Sequence, residues 1–199
     1  YALRPDGTLR WEVSNGLIGF GTPVLALDGT VVAVGNEGRL YAVRPNGTVK
    51  WSLASYTSFV DGPVIGRDGT VYVALGDGVL LAYNPDGAKL WEARLGYANV
   101  FASPVITGAG AVLVGLPGSV GTDSQWFAVN PDGSTRWTAT LDGRPWAAPA
   151  VGADDRVYVP LAPGALTALK PNGVPDWTAR PGGELALSPT LLAGPISGG

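Results

Sequence analysis

Arg44-Pro45-Asn46-Gly47-Thr48-Val49-Lys50-Trp51 decides the architecture, because the chain writes this stretch five times. Its turn returns as Arg4-Pro5-Asp6-Gly7, Asn84-Pro85-Asp86-Gly87, Asn130-Pro131-Asp132-Gly133 and Lys170-Pro171-Asn172-Gly173. Four residues beyond each of Gly7, Gly47, Gly87, Gly133 and Gly173 stands a tryptophan: Trp11, Trp51, Trp91, Trp137 and Trp177. Successive turns are offset by 40, 40, 46 and 40 residues. A second series, Pro23, Pro63, Pro104, Pro149 and Pro189, interleaves with the first at offsets of 40, 41, 45 and 40. A period near 40 means a propeller or a solenoid, and the choice depends on whether each unit is made of strands or helices.

Working outward from that turn, residues 22–53 read as four short antiparallel strands. Thr22 to Leu27 and Thr30 to Val34 flank Asp28-Gly29, a two-residue turn whose positions tolerate positive φ and so suit a tight hairpin. Arg39 to Val43 and Thr48 to Leu53 are the third and fourth runs. Between them Pro45 presets φ at the first turn position, and Gly47 can take the left-handed conformation of a bulged type I turn. Gly or Pro interrupts nearly every window of ten residues, so no helical period is sustained. Four-stranded units repeated every 40 residues are propeller blades. The expected fold class is all-β: a β-propeller of four-stranded antiparallel blades, read as one domain over 1–199. Its repeats are about 1–14 plus 185–199, 20–54, 60–95, 101–141 and 147–180.

How such a ring closes is left with two readings. Tyr1 aligns with Tyr41, so the chain opens on the third strand of a blade, and Ser188-Pro189-Thr190-Leu191-Leu192 supplies the first strand of another. Joined, they would make a fifth, composite blade and remove two open edges. The join is thin, because Ala193-Gly194-Pro195 stands where a turn and second strand belong. The alternative is an arc of a larger propeller. Since the chain begins at Tyr1 inside a repeat, an upstream signal, anchor or further domain is also left open.

Composition narrows the chemistry. In 199 residues there is neither Cys nor His, which excludes disulfides, zinc–thiolate sites, cysteine nucleophiles, Ser-His-Asp triads and the commonest transition-metal ligand. A net charge of −3 with Lys and Arg scattered singly offers no stripe for a phosphate backbone, so nucleic acid is not an expected partner. No apolar run is long enough for a membrane span. No phosphate loop or metal cluster is present, and no metal or cofactor is expected. An acid–base carboxylate pair would have to come from Asp61, Asp142 and Glu184, whose spacing does not single them out.

The segments Leu40-Tyr41-Ala42 through Trp51, Leu81-Ala82-Tyr83 through Trp91 and Phe127-Ala128 through Trp137 resemble the tryptophan-docking segment of PQQ-like propeller repeats. In that family an Ala, a turn Gly and a Trp four residues on lock neighbouring blades, which implies a structural role for the five tryptophans and five glycines. The family includes quinone-dependent dehydrogenases, outer-membrane assembly lipoproteins and sensor domains of bacterial receptor kinases. The dehydrogenases are longer, eight-bladed, and often carry a vicinal disulfide that this chain cannot form. The resemblance therefore implies a non-catalytic binding or scaffolding propeller outside the cytoplasm, in the periplasm or at the cell surface. A ligand sensor binding a quinone or saccharide in the central funnel is the second reading.

Function is expected where the repeats differ. In a four-stranded meander the first-to-second and third-to-fourth turns share one face, and here those turns are monotonous. The opposite face carries variable loops, each with an aromatic residue: Phe20; Tyr56 and Phe59 with Asp61; Tyr97 and Phe101 with Asn99; Trp146 with Arg144. These residues are the expected contact surface for a protein partner or small ligand. Residues 116–125, which lengthen one unit to 46, are expected to be a longer loop on the same face.

Overall fold

The computed structural model describes residues 1–13, 21–35, 38–55, 57–59, 62–96, 103–118, 123–182 and 189. Among these, every regular element is a strand. A hairpin of β1 (Ala2–Leu3) and β2 (Leu9–Trp11) comes first. Three four-stranded antiparallel meanders follow in chain order. They are β3 (Val24–Leu25), β4 (Val31–Gly35), β5 (Arg39–Val43) and β6 (Val49–Ala54); β7 (Val64–Ile65), β8 (Val71–Ala74), β9 (Val79–Tyr83) and β10 (Lys89–Arg94); β11 (Val105–Ile106), β12 (Val112–Pro117), β13 (Asp123–Val129) and β14 (Thr135–Asp142). In the fourth blade β15 (Arg144–Pro145) and β16 (Ala150–Val151) both pair with β17 (Val157–Ala162), followed by β18 (Ala165–Leu169) and β19 (Pro175–Ala179). The fold is an all-β propeller of such blades.

Each third strand is held by the alternation of apolar residues that must face two neighbours at once. Leu40, Ala42, Leu80, Ala82, Ala128 and Ala168 are all fully buried, and the core lies between successive blades as three clusters. One is shared by the first and second blades, one by the second and third, and one by the third and fourth. Sheets packed face to face around a ring bury both faces of inner blades, which is why the middle strands read as continuous apolar runs.

The repeated tryptophan couples one blade to the next. Trp11 Nε1 donates to Pro45 O at 2.9 Å, Trp51 to Pro85 O at 2.9 Å, Trp91 to Pro131 O at 2.7 Å and Trp137 to Pro171 O at 3.0 Å. Each indole also lies flat on the following turn's glycine, so closely that a Cβ on Gly47, Gly87, Gly133 or Gly173 would come within 2.9 Å or less of the ring. At these four junctions the tryptophan and the glycine it rests on join successive blades. These four tryptophans are half-buried, because their indoles follow the turn face instead of entering the core. Trp177 is 43% exposed, its N–H has no acceptor among the described residues, and Gly7 faces open space. Of the residues expected to make a composite closing blade, 14, 185–188 and 190–199 lie outside the described residues.

The insertion at 116–125 is mostly strand. Leu116 pairs with Gln125, Pro117 with Ser124, and Gly118 N donates to Asp123 O at 2.7 Å, so the lengthened unit is a taller hairpin whose tip, 119–122, lies outside the described residues. Leu116 and Ser124 are buried on opposite faces of this hairpin, Leu116 in the core shared with the second blade and Ser124 beside Trp126, while Asp123 and Gln125 are exposed.

Candidate functional site

Two faces of the propeller differ in how completely they satisfy themselves. On the turn face each Pro-Asx-Gly turn is closed by a hydrogen bond from Gly to the residue three before it, at 2.9 Å in all five copies. Asp6, Asn46, Asp132 and Asn172 each accept the backbone N–H two residues on. In Asp6 and Asp132 the hydroxyls of Thr8 and Ser134, then their backbone N–H groups, hold the carboxyl below the usual carboxylate range. Asp28 and Asp68 are held low chiefly by the N–H groups of Thr30 and Thr70. These aspartates hold their own turns closed.

On the opposite face three of the expected contact residues are described. Phe59 forms an isolated antiparallel bridge with Leu75 and Gly76 N donates to Ser58 O at 2.8 Å, which stitches the entry to the second blade onto the top of β8. Its ring is half-buried against the core shared by the first two blades, so Phe59 anchors its loop as well as lining it. Arg144 and Trp146 sit at the edge of the fourth blade. Arg144 pairs with Ala162 and Pro145 with Leu161, and Trp146 N donates to Pro160 O at 3.4 Å. This pairing fixes the backbone beneath both side chains. Arg144 is exposed, and the Trp146 side chain is 53% exposed. Proline is tolerated in β15 because it lies on an edge. Phe20, Tyr56, Asp61, Tyr97, Asn99 and Phe101 lie outside the described residues.

The carboxylates weighed for acid–base chemistry are not brought together among the described residues. Asp142 is exposed and pairs with Arg180 at 3.1 Å, while Asp61 and Glu184 lie outside the described residues. No group of three metal-capable side chains occurs among the described residues. Among the described residues no helix is long and apolar enough to cross a membrane.

A chain of such blades, joined by an indole resting on the next blade's glycine, can be compared with known proteins. The family model described as outer membrane protein assembly factor BamB matches residues 1–122 and 123–196. The chain belongs to this family. Members of this PQQ-like propeller group share the blade just described. The solved structure of BamB from Moraxella catarrhalis superposes with a TM-score of 0.71 at 22% identity, over 92% of this chain and 59% of that one. Quinohemoprotein alcohol dehydrogenase from Comamonas testosteroni gives 0.69 at 16% identity, over 83% of this chain and 35% of that one. Streptogramin B lyase gives 0.68 at 11%, over 82% and 55%. At these identities the likeness concerns fold, and the chain spans between a third and three-fifths of each structure's length. No curated protein matches.

Sequence reasoning missed Trp126, the largest fully buried side chain, because it stands outside the repeated series. It occupies the column of Leu40 and Leu80, and its ring covers Gly115, where a Cβ would lie 2.7 Å away. A large residue facing a glycine was the available signal. Trp126 Nε1 donates to Ser124 Oγ at 3.1 Å, so its polar edge is satisfied inside the core.

Proposed function

We propose that this chain is a non-catalytic binding or scaffolding propeller that works outside the cytoplasm and presents its variable loop face to a protein partner. One observation carries the reading: Trp146, an indole more than half exposed, is held beside an exposed Arg144 on a hydrogen-bonded strand edge. Trp and Arg on a fixed backbone are the residue types that dominate interface energetics, since they bury large area at low ordering cost. The family adds the class of partner. Its named member is an outer membrane protein assembly factor, and by extension the partner here is a component of outer-membrane protein assembly.

The test places a photo-crosslinking amino acid at Trp146 and, separately, at Asn172 on the turn face, in cells of the native host. Adducts with a protein of the outer-membrane assembly machinery from position 146 and not from 172 are expected. Adducts from 172 alone, or from neither, would remove the reading.

A further inference from the structure

The seams between blades are built alike but filled differently, and one of them is left open. Register fixes the comparison: Val32 pairs with Val24, Tyr72 with Val64, Leu113 with Val105 and Tyr158 with Ala150. These four residues therefore occupy one column, the second residue of each blade's second strand, beneath the docked tryptophan. In the second blade the Tyr72 ring is buried 5.7 Å from the Trp91 ring and passes within 3.4 Å of where a Cβ on Gly66 would stand. Its hydroxyl meets the Thr70 side chain near the Asp68 carboxylate; burial first, then that carboxylate, pushes the phenol up from its ordinary range. The fourth blade repeats the device, with Tyr158 at 6.1 Å from Trp177 and passing Gly152. The third blade has Leu113 and a different plug: Asp155 from the fourth blade accepts the N–H groups of Gly108 at 2.5 Å and Ala109 at 3.1 Å, leaving about 10 Å³.

The first blade has neither plug. Val32 stands where Tyr72 would, Ala26 where Gly66 would, and a cavity of about 220 Å³ opens between the first and second blades. Its apolar walls are Ala26, Val32, Trp51, Ile65 and Val71, Thr30 faces it, and Asp28, Lys50, Arg67 and Asp68 stand at its open rim. A volume of about 150 Å³ is enough to take up a benzene ring. Thr30 and Asp28 repeat Thr70 and Asp68; in the next seam Thr70 bonds the hydroxyl of Tyr72 and the Asp68 carboxylate stands nearby.

We propose that the cleft between the first two blades binds a small neutral phenol, its ring beside Trp51 and its hydroxyl at Thr30 and Asp28. The chain itself defines the chemistry, because a p-hydroxyphenyl group is what fills the equivalent place one blade later. Asp28 is ionised at neutral pH, so beside Thr30 it can accept from a phenol O–H. The site is on the turn face, away from Arg144 and Trp146, and stands or falls independently of the partner proposed above.

The experiment titrates the ¹⁵N-labelled chain with p-cresol and with toluene, following tryptophan indole resonances, with that of Trp51 assigned as the one missing from Trp51→Phe. A saturable shift at Trp51 is expected, with toluene about tenfold weaker for want of the hydrogen bond to a charged group. No saturable shift, or equal binding of toluene, overturns the assignment. Ala26→Gly with Val32→Tyr copies the second blade's plug and should weaken p-cresol at least tenfold; unchanged binding in the folded double variant also overturns it. Tyr72→Val makes the converse change and should add a second p-cresol response at the Trp91 indole. If the double variant does not fold, that response decides: its presence supports the site, and its absence refutes it.

Discussion

Replacing Gly133 with Ala tests the coupling between blades at a single atom. Gly133 has φ of +88°, and a Cβ there would sit 2.9 Å from the Trp91 ring. Left-handed alanine costs about 1–2 kcal/mol wherever it occurs. Carbon contacts are comfortable at about 3.5–4.0 Å, so the indole must also move by more than half an ångström. Moving it strains or breaks the 2.7 Å bond from Trp91 Nε1 to Pro131 O. Overpacking of this kind costs about 1–3 kcal/mol and the hydrogen bond about 1 kcal/mol more, giving roughly 3–6 kcal/mol in total with the backbone cost. Gly7→Ala is the internal control, since Gly7 has φ of +82° and nothing within 4 Å of the added carbon. It should lose only the backbone cost of about 1–2 kcal/mol. Urea denaturation with matched m-values measures both. In a Trp91→Ala background the penalty of Gly133→Ala should likewise fall to the backbone cost, a coupling that a double-mutant cycle isolates. Equal penalties at Gly133 and Gly7, or no coupling to Trp91, would show that the indole does not join the blades.

Three further outcomes follow from the same geometry. Gly115→Ala, whose Cβ would meet the buried Trp126 ring at 2.7 Å, should cost about 2–3 kcal/mol by overpacking and be largely rescued by Trp126→Leu, which restores the residue found at Leu40 and Leu80; thermal midpoints of the two variants check this. Asp6, Asp28, Asp68 and Asp132 have folded pKa values below their unfolded ones, so their contribution is fully present above the unfolded value of about pH 4 and is lost as pH falls through the folded values. The urea midpoint should therefore hold down to about pH 5 and then fall, and a midpoint that rises on acidification would contradict these turns. Asp132→Asn should leave the neutral-pH urea midpoint nearly unchanged, because Asn46 makes the same bond to Thr48 N in its own turn.

What could be read in advance was whatever the repeat obliged every blade to share. The turn glycines and tryptophans recur because each indole needs a bare glycine to lie on, and that requirement is visible as spacing. The depth of burial was less legible: Trp51 and Trp91 look like core residues by type, yet their place over a solvent-facing turn leaves them half-buried. The loop face was legible only as sequence that varies between repeats. What Arg144 contributes depends on its pairing with Ala162, a contact that no local pattern encodes. The cleft beside Trp51 was legible in principle, but only from the column Val32, Tyr72, Leu113 and Tyr158, where the informative residue is the small one.

The docking contact also has a direction in time. Each of the four docked tryptophans bonds to a carbonyl 34 to 40 residues further along the chain. During synthesis a blade therefore leaves the ribosome with its indole unseated until the next turn has been made, a wait of about 2–8 s at roughly 5–20 residues per second. Over that interval the newest blade presents a bare aromatic edge to whatever chaperone is near, and a pause in translation between blades would lengthen that exposure.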